Sequence, residues 1–224
     1  MDGGGVRLSI AVQAHPLRAP SALRIAAELA GEPCWDPDPD GQLRSAWRTY
    51  RRALAETPPW ATHRLIVQDD VRVCRGCRQA AERAAALAPD RVICLYVGGA
   101  PRAGAARLMR GACEGRALVD LGTIPFCPVV ATMWPVRLVP RFLAWVDEQR
   151  WPADFRADDE IAGRFLLAHG LTPLATVPSL VQHPDTEPSL VGRRARGGED
   201  ATRVAALWAE DCREWGQLQR ARDP

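Results

Sequence analysis

Short apolar runs alternate along the chain with segments whose apolar positions repeat at helical spacing. The apolar runs predict strands at residues 6–13, 63–71, 91–97 and 128–134. The helical pattern, with its caps and Pro or Gly breaks, predicts helices at 21–30, 42–56, 78–87, 136–148, 158–169 and from 199 to about 220. Continuous apolar strands that alternate with helices predict an α/β fold with a mostly parallel central sheet flanked by helices.

The segments between these elements are expected to be loops. Residues 33–41 are dense in Pro, Asp and Gly, and residues 98–115 are glycine-rich, so both are predicted to be irregular and the second to be mobile. Residues 177–183 have a strand-like pattern ahead of a Pro- and Arg-rich loop. No repeat and no domain boundary is visible, so residues 1–224 are predicted to form a single domain.

Composition narrows the possible chemistry. The 224 residues are 47% hydrophobic and carry 29 basic against 27 acidic side chains, a formal net charge of +2. Binding to nucleic acid by overall charge is therefore excluded. The chain has no lysine and no asparagine, which excludes a lysine Schiff base, a P-loop lysine and N-glycosylation. With no membrane-spanning run or signal pattern, and seven cysteines expected as free thiols, we expect a soluble cytoplasmic protein.

Two adjacent carboxylates end one predicted strand. The strand beginning at His63 runs directly into Gln68, Asp69 and Asp70. Ligands of parallel α/β sheets bind at the carboxyl ends of strands. Paired carboxylates there repel each other unless a cation or an arginine balances them, and Mg²⁺ or Mn²⁺ is a suitable cation. The alternative is an acidic turn without a ligand.

A second acidic cluster opens a predicted helix. Asp158, Asp159 and Glu160 stand at the helix start, where carboxylates cap free N–H groups. The functional alternative is that one of them is a general base toward an acceptor hydroxyl, with Asp159 favoured. His183 could complete a metal site with Asp70, or be an ordinary loop residue, and the same two alternatives apply to His15.

Arginines supply possible phosphate contacts. They are Arg18 after the first strand, and Arg48, Arg51 and Arg52 beside Trp47 and Tyr50 on the second predicted helix. In the tail, Arg193, Arg194 and Arg196 form a local basic patch that is either a DNA-backbone contact or a surface loop. Motifs for hydrolase triads, dinucleotides and P-loops are absent, and the single CxxC, from Cys74 to Cys77, does not predict a zinc site.

Taken in order, these motifs resemble small GT-A glycosyltransferases, and in particular the compact glycosyltransferase-like proteins of actinobacteria and their phages. The resemblance covers about residues 6–192. It rests on His15-Pro16-x-Arg18, Trp47 with Arg51-Arg52, the strand ending in Asp69-Asp70, Asp158-Asp159-Glu160, and the run from Val177 to His183.

The resemblance implies a nucleotide-sugar-binding half at residues 6–134, an acceptor and catalytic half at 135–192, and a basic loop with a C-terminal helix at 193–224. Asp70 and His183 are implied to bind Mn²⁺ or Mg²⁺, although Gln-Asp-Asp departs from the strict Asp-x-Asp pattern of the family. Asp159 or Asp158 takes the position of the base in inverting members. The donor, expected to be a UDP-sugar, is placed at a set of six residues: His15, Arg18, Trp47, Arg51, Gln68 and Asp69.

For phage members, the likeness implies sugar transfer to hydroxylated DNA bases such as 5-hydroxymethylcytosine. Candidate contacts to this acceptor are Trp134 by stacking, the arginines Arg193, Arg194 and Arg196, and the glycine-rich segment with Arg102, Arg107 and Arg110. Three alternatives remain open at this point. They are transfer to a polysaccharide, lipopolysaccharide or protein hydroxyl; a metal-dependent nucleotidyltransferase or phosphohydrolase; and a non-catalytic α/β binding module.

Overall fold

A computed structural model of the chain describes residues 5–40, 46–98, 102–124, 127–151, 157–184 and 203–215. Within these ranges the strands are β1 (Leu8–Ala14), β2 (Glu32–Trp35), β3 (His63–Gln68), β4 (Arg72–Val73), β5 (Ile93–Cys94), β6 (Leu118–Asp120), β7 (Ala131–Pro135), β8 (Leu174–Thr176) and β9 (Val181–Gln182). The α-helices are α1 (Ala19–Leu29), α2 (Ala46–Ala55), α3 (Cys77–Leu87), α4 (Arg102–Cys113), α5 (Val139–Glu148) and α6 (Asp158–Ala168).

A seven-stranded sheet in the order β2-β1-β3-β7-β5-β8-β6 forms the centre of the fold. Strands β2, β1 and β3 are parallel, and β5 is parallel to β8. Strands β7 and β6 run in the opposite direction to their neighbours. Strands β4 and β9 form a separate two-stranded ribbon. The prediction of an α/β fold with a mostly parallel central sheet is confirmed.

Alternation along the strands divides the core into two layers. Ile10 and Val12 of β1 face α1 and α3, whereas Ala11 between them faces α2, α5 and α6. Successive side chains of a strand point to opposite faces, so one strand supplies both cores. Each large side chain buried in this way stabilises the fold by about 1.5–3 kcal/mol. Because helices cover both faces, the middle parts of the central strands, Ile10 to Val12 in β1 and Leu65 to Val67 in β3, are continuously apolar and buried.

The connections around β1 position the functional site. The chain leaves β1 through α1 and reaches β2 on one side, then returns through α2 to β3 on the other side. Strand β1 is therefore a topological switch point, and its carboxyl end, together with that of β3, opens outward between diverging connections. Crevices of this kind are where ligands of open α/β sheets bind.

The prediction that residues 98–115 form a mobile loop is wrong. Residues 102–113 of this segment form the helix α4. Its Gly111 lies so close to β6 that an added Cβ would meet Val119 Cγ1 at 2.1 Å. This glycine therefore allows a helix to pack closely on a strand rather than making the segment flexible. The loop predicted at 33–41 also contains the strand β2, whose Pro33 is tolerated because β2 is an edge strand.

The C-terminal helix predicted at 199–220 is also wrong over residues 203–211, which form an irregular strap. We call residues 203–215 the C-terminal strap. Its backbone is held by Val97 O, which accepts from Ala206 N–H at 2.9 Å, and by hydrogen bonds in both directions with Ser179 and with Arg75. Tertiary pairing of this backbone replaces the helix that the apolar periodicity indicates. No helix within the described ranges is long and apolar enough to cross a bilayer.

Candidate functional site

One arginine bridges the two carboxylates that follow β3. Arg18 Nη1 lies 3.1 Å from Asp69 Oδ1 and 2.8 Å from Asp70 Oδ2. Both aspartates are buried, and Asp69 Oδ2 also accepts the backbone N–H of His15 at 2.7 Å. The loop after β1 thus supplies the cation and the N–H donor that hold the acidic end of β3. The predicted meeting of His15, Arg18, Asp69 and Asp70 at one sheet edge is present.

His183 faces the same carboxylate from the end of the β4–β9 ribbon. Its Nε2 lies 3.2 Å from Asp70 Oδ2, and its ring is fully buried. Its Nδ1 lies 3.0 Å from the carbonyl oxygen of Pro184. A carbonyl only accepts hydrogen bonds, so Nδ1 carries a proton and Nε2 presents either a lone pair or a second proton toward Asp70.

The C-terminal strap adds a further cation. Arg203 Nη2 lies 3.7 Å from Asp70 Oδ2. The Tyr96 hydroxyl donates to the carbonyl oxygen of Arg203, and Ala205 N–H donates to Gln182 Oε1 at 2.6 Å. Because Gln182 directly precedes His183, the strap is attached beside the imidazole of the site.

These neighbours determine the ionisation of the acidic pair. Burial disfavours the charged form of Asp70, but the facing His183 imidazole and the guanidiniums of Arg18 and Arg203 outweigh it and lower its pKa to about 2. Burial, with a contribution from the adjacent Asp70 charge, raises the pKa of Asp69, although the His15 N–H and Arg18 oppose this change. Asp70 is therefore the firmly ionised member of the pair.

His15 has a defined tautomer. Its Nδ1 accepts the backbone N–H of Leu17 at 3.2 Å, so the ring proton of the neutral imidazole is on Nε2. That Nε2–H group is buried and has no hydrogen-bond partner among the described residues. It is a donor available to an anionic or carbonyl oxygen of a ligand.

Asp158 occupies the same sheet edge on the opposite face, toward α2 and α6. Its Oδ1 accepts the backbone N–H of Asp159 at 3.0 Å, whereas its buried Oδ2 has no partner among the described residues. Burial raises the pKa of Asp158 to about 7, and the neighbouring Asp159 charge adds to the shift, while the Asp159 N–H and the Gln13 amide offset part of it. A buried carboxyl that titrates near neutral pH is suited to general acid–base chemistry.

Asp159 has a different environment from Asp158. Its side chain is half-buried, and its Oδ1 accepts the backbone N–H of Glu160 at 2.8 Å. Its backbone carbonyl accepts the N–H of Cys127 at 2.9 Å, which attaches the start of α6 to the segment leading into β7. Asp158 and Asp159 thus each accept the N–H of the residue that follows them in the first turn of α6, and Asp158 is the carboxyl with the perturbed pKa.

Gln13 is a polar side chain of β1 on the α2 side of this edge. It lies next to Gln68 in the pairing of β1 with β3, and its Nε2 donates to Ala46 O, at the start of α2, at 2.7 Å. Its Oε1 is buried and has no partner among the described residues. Further buried side-chain atoms of the site also lack a hydrogen-bond partner among the described residues: His15 Nε2, Asp70 Oδ1 and Asp158 Oδ2. Because buried polar groups are normally hydrogen-bonded, this concentration indicates a site for a polar ligand.

Three of the predicted site residues have structural surroundings. Trp47 packs against the core beside α5, with its ring 5.7 Å from that of Phe142. Arg51 pairs with Asp147 of α5 at 2.9 Å. The expectation that Trp134 stacks on an acceptor does not fit its ring, which is fully buried, stacks on Phe142 at 4.6 Å and donates from Nε1 to the Tyr50 hydroxyl at 2.7 Å.

The predicted acceptor arginines are only partly described. Arg193, Arg194 and Arg196 lie outside the described residues. Of the arginines in the glycine-rich segment, Arg107 is exposed and its Nη1 donates to Asp120 O at 3.3 Å, and Arg110 is exposed on α4. The side chain of Arg102 lies outside the described set. The basic-patch hypothesis therefore remains a prediction.

Two site residues were missed by the sequence analysis. Gln13 is the only glutamine in the first predicted strand, and a polar residue near the carboxyl end of an apolar strand is a usable signal for a ligand contact. Arg203 had no such signal, because it lies in a tail that the pattern assigns to a helix. Only the tertiary contacts of the strap bring Arg203 to Asp70.

The described residues do not contain a complete metal site. No group of three or more His, Cys, Asp or Glu side chains in the described ranges is arranged to hold a metal ion. Asp70 Oδ1 is nevertheless a buried ligand atom without a partner among the described residues, and His183 Nε2 lies 3.2 Å from the other oxygen of the same carboxylate. Mg²⁺ and Mn²⁺ are often held by only one or two protein groups together with substrate phosphates and water, so these two residues fit a cation of that kind.

Comparisons with known proteins do not assign the chain to a family. No protein-family model matches it, and no curated protein matches it in sequence, so its function is inferred from the residues of the site.

Proposed function

We propose that the protein is a glycosyltransferase that moves a sugar from a nucleotide-diphosphate sugar, expected to be a UDP-sugar, to an acceptor hydroxyl. The observation that carries this proposal is the chemical difference between the two faces of one sheet edge. Arg18, Arg203 and the histidines lie on the face of the acidic pair, and a buried carboxyl with a pKa of about 7 lies on the other. Transfer from a diphosphate to a hydroxyl needs a cationic group at the leaving oxygen and a base at the attacking one.

The first face suits the diphosphate. Arginine binds phosphate oxygens in bidentate fashion, and a buried imidazole N–H such as His15 Nε2–H adds a directional donor. The two carboxylates of Asp69 and Asp70 are matched by the guanidiniums of Arg18 and Arg203. These guanidiniums are therefore held in place before any ligand arrives, and such preorganised charge stabilises a leaving group as its negative charge develops.

The second face suits the acceptor. In the proposed reaction, the acceptor oxygen forms a bond to the anomeric carbon while the bond from that carbon to the diphosphate oxygen breaks. The electron pair leaves with the nucleoside diphosphate, and the acceptor proton passes to Asp158 Oδ2. Asp158 is favoured over Asp159 for this role because its Oδ2 is buried, with no hydrogen bond from the described part of the chain, and because its pKa lies near neutral pH.

A divalent cation is a further part of the proposal. Asp70 and His183 are the residues that would hold Mn²⁺ or Mg²⁺, with the remaining ligands coming from the donor and from water. When bound, the cation supplies additional positive charge at the diphosphate. Arg18 and Arg203 contact Asp70 Oδ2, so its Oδ1 is the atom left for such a ligand.

The acceptor is proposed only as a hydroxyl compound. A hydroxymethylated DNA base, a glycan and a protein side chain all present the required group. For DNA, the enzyme would have to reach or flip the base, and Arg193, Arg194 and Arg196 are the proposed backbone contacts. If the triple substitution of these arginines leaves DNA affinity and its salt dependence unchanged, the DNA part of the proposal is rejected.

The test is release of nucleoside diphosphate from a panel of UDP- and GDP-sugars with Mn²⁺ or Mg²⁺. Each reaction is run alone, with DNA containing 5-hydroxymethylcytosine, and with simple glycosides. We expect acceptor-stimulated release whose rate rises with pH through a midpoint near 7. Asp158→Asn should lower the rate about 10²–10⁴-fold, and Asp159→Asn is the matched control.

The other outcomes are equally informative. If Asp159→Asn removes the activity and its rise with pH, and Asp158→Asn does not, the base is Asp159. Release of pyrophosphate or inorganic phosphate instead would indicate a nucleotidyltransferase or phosphohydrolase. No binding or turnover of any donor would overturn the proposal in favour of a binding module.

A further inference from the structure

The C-terminal strap brings an arginine to the acidic pair without regular structure around it. Arg203 Nη2 lies 3.7 Å from Asp70 Oδ2, and the Arg203 side chain is 29% exposed, so it faces both the buried carboxylate and the crevice. Residues 203–211 contain only isolated bridges to other segments and no helix or strand. The position of Arg203 therefore depends on contacts between the strap and the rest of the fold.

Two side chains from outside the strap hold its backbone at Arg203 and just after it. The Tyr96 hydroxyl donates to the carbonyl oxygen of Arg203, and Gln182 Oε1 accepts Ala205 N–H at 2.6 Å. Tyr96 is buried two residues beyond β5, and Gln182 is paired with Arg72 in the β4–β9 ribbon. Both side chains thus belong to parts of the molecule whose positions are set by the fold.

The next hydrogen bonds along the strap join backbone to backbone. Ala206 N–H donates to Val97 O at 2.9 Å, and the following bonds join the strap to Ser179. These bonds fix the course of the strap, but they lie three or more residues beyond Arg203. An arginine side chain is long and has several rotatable bonds, so its guanidinium is held well only if its own backbone is held.

Gln182 also connects Arg203 to the histidine of the site. It directly precedes His183, whose Nε2 lies 3.2 Å from Asp70 Oδ2. One short segment therefore places the imidazole beside Asp70 and, through Ala205 N–H, holds the strap that delivers the guanidinium to the same oxygen. A charge stabilises a leaving group most effectively when it is held in place before the reaction begins.

We infer that Tyr96 and Gln182 are positioning residues, which hold Arg203 at the place where the diphosphate of the donor binds. This inference rests on the proposed function for the identity of the anion. Neither side chain is assigned a contact with the ligand, and both act through the strap backbone. The ligand class is a diphosphate, whether free or part of a nucleotide.

The experiment measures how much Arg203 contributes to binding of inorganic pyrophosphate. Dissociation constants are measured by isothermal titration calorimetry with Mg²⁺ present. Each protein is compared with the same protein carrying Arg203→Met. The backgrounds are the wild type, the double variant Tyr96→Phe with Gln182→Met, and Gln182→Glu alone, which keeps an acceptor oxygen for the strap. The matched control is Trp215→Phe, which removes a hydrogen bond to Ala117 O at the other end of the strap.

In the wild-type protein we expect Arg203→Met to weaken pyrophosphate binding about tenfold or more. The same factor is expected in Gln182→Glu and in Trp215→Phe. In the double variant the factor should fall below about threefold, because its Arg203 is no longer held at the site. Each factor is a ratio within one background, so a general loss of affinity leaves it unchanged. A merely structural role of Tyr96 and Gln182 would therefore not produce this pattern.

Two outcomes overturn the inference. In one, the wild-type protein does not bind pyrophosphate or binds it equally well without Arg203. In the other, Arg203→Met has the same effect in the double variant as in the wild type. If the double variant does not fold, Tyr96→Phe and Gln182→Met are tested singly, and each should lower the factor.

The readout is affinity and not turnover, so the inference and the proposed function fail separately. The expected pattern without sugar transfer to any acceptor keeps the positioning of Arg203 at an anion site and rejects the glycosyltransferase. Sugar transfer with the same Arg203 factor in all backgrounds keeps the enzyme and rejects the positioning role of Tyr96 and Gln182.

Discussion

His183 Nε2 lies 3.2 Å from Asp70 Oδ2, while the opposite nitrogen of the same ring faces the carbonyl oxygen of Pro184 at 3.0 Å. The carbonyl requires a proton on Nδ1, so a neutral His183 presents a lone pair to a carboxylate that is already ionised. Such a contact is favourable only when a proton or another cation is shared between the two groups. Asp70 and His183 therefore form a unit whose stability depends on positive charge.

The first prediction concerns acid denaturation. The pKa of Asp70 in the fold is about 2, below the ordinary value of 3.8, so its ionisation stabilises the protein above pH 4 and this contribution is lost as the pH falls from about 4 to 2. We expect the wild-type protein to lose about 2 kcal/mol more unfolding free energy over this window than Asp70→Asn does. Urea unfolding at several pH values measures the difference.

The control for this prediction is Asp147→Asn, because Asp147 is 59% exposed in its pair with Arg51. Its pH dependence should match that of the wild type. If Asp70→Asn does not fold, NMR titration of the Asp70 carboxyl in the wild-type protein replaces the comparison. A pKa near 4 would contradict the prediction.

A second prediction concerns Asp158, whose ionisation destabilises the fold, whereas that of Asp70 stabilises it. The pKa of Asp158 in the fold is about 7, above the ordinary 3.8, so the fold disfavours its ionisation increasingly as the pH rises from about 4 to 7. Asp158→Asn should therefore be more stable than the wild type at pH 8, by up to about 4 kcal/mol. At pH 4 the difference should vanish. Parallel stability curves from pH 4 to 8 would show that Asp158 has an ordinary pKa.

A third prediction concerns Arg18. Replacing it with Met removes the guanidinium shared by Asp69 and Asp70 and leaves two buried carboxylates side by side. We expect Arg18→Met to lose about 3–5 kcal/mol of unfolding free energy at neutral pH, since removing one partner of a buried charge network leaves an uncompensated charge. Thermal or urea unfolding checks this value.

The matched variant for Arg18 is Arg24→Met on α1. Arg24 forms an exposed i,i+4 pair with Glu28 and also donates to Val71 O at 3.2 Å, so we expect Arg24→Met to lose about 1–2 kcal/mol, less than Arg18→Met. In the double variant Arg18→Met with Asp70→Asn, much of the stability should return because the charge left unpaired is removed. Additive losses would show that the bridge has no such role.

A fourth prediction is that Trp134 contributes to stability and not to acceptor binding. Its ring is buried, and its Nε1–H donates to the Tyr50 hydroxyl, so Trp134→Phe should lose about 1–3 kcal/mol of stability through the broken hydrogen bond and the smaller ring. Affinity for 5-hydroxymethyl-2′-deoxycytidine should stay within about twofold of the wild type. A selective loss of nucleoside binding in a variant of unchanged stability would restore Trp134 as a stacking residue.

Local patterns were sufficient for much of the fold and for the first half of the site. The strand from His63 to Gln68 and the helix from Asp158 lie where apolar runs and capping residues place them. His15, Arg18, Asp69 and Asp70 follow two adjacent parallel strands, so the topology alone brings them together. In each of these cases one short segment contains the whole signal.

The parts that sequence reasoning missed depend on contacts between distant segments. Strands β6 and β8 are each three residues long and are defined by pairing with each other and with β5. The glycines of α4 indicate flexibility in isolation, but Gly111 is required by the neighbouring Val119. The pKa difference between Asp158 and Asp159 depends on burial, which two adjacent identical residues cannot reveal in sequence.

The C-terminal strap also has a consequence for synthesis in the cell. Ribosomes make Asp70 and the sheet around it first, and Arg203 and the rest of the strap emerge much later. A nascent chain can thus pair β1 with β3 and position the acidic end of β3 while one of its balancing cations has not yet been made. The complete charge arrangement is reached only after the strap has been released from the exit tunnel, so the cluster around Asp70 is among the last parts of the protein to mature.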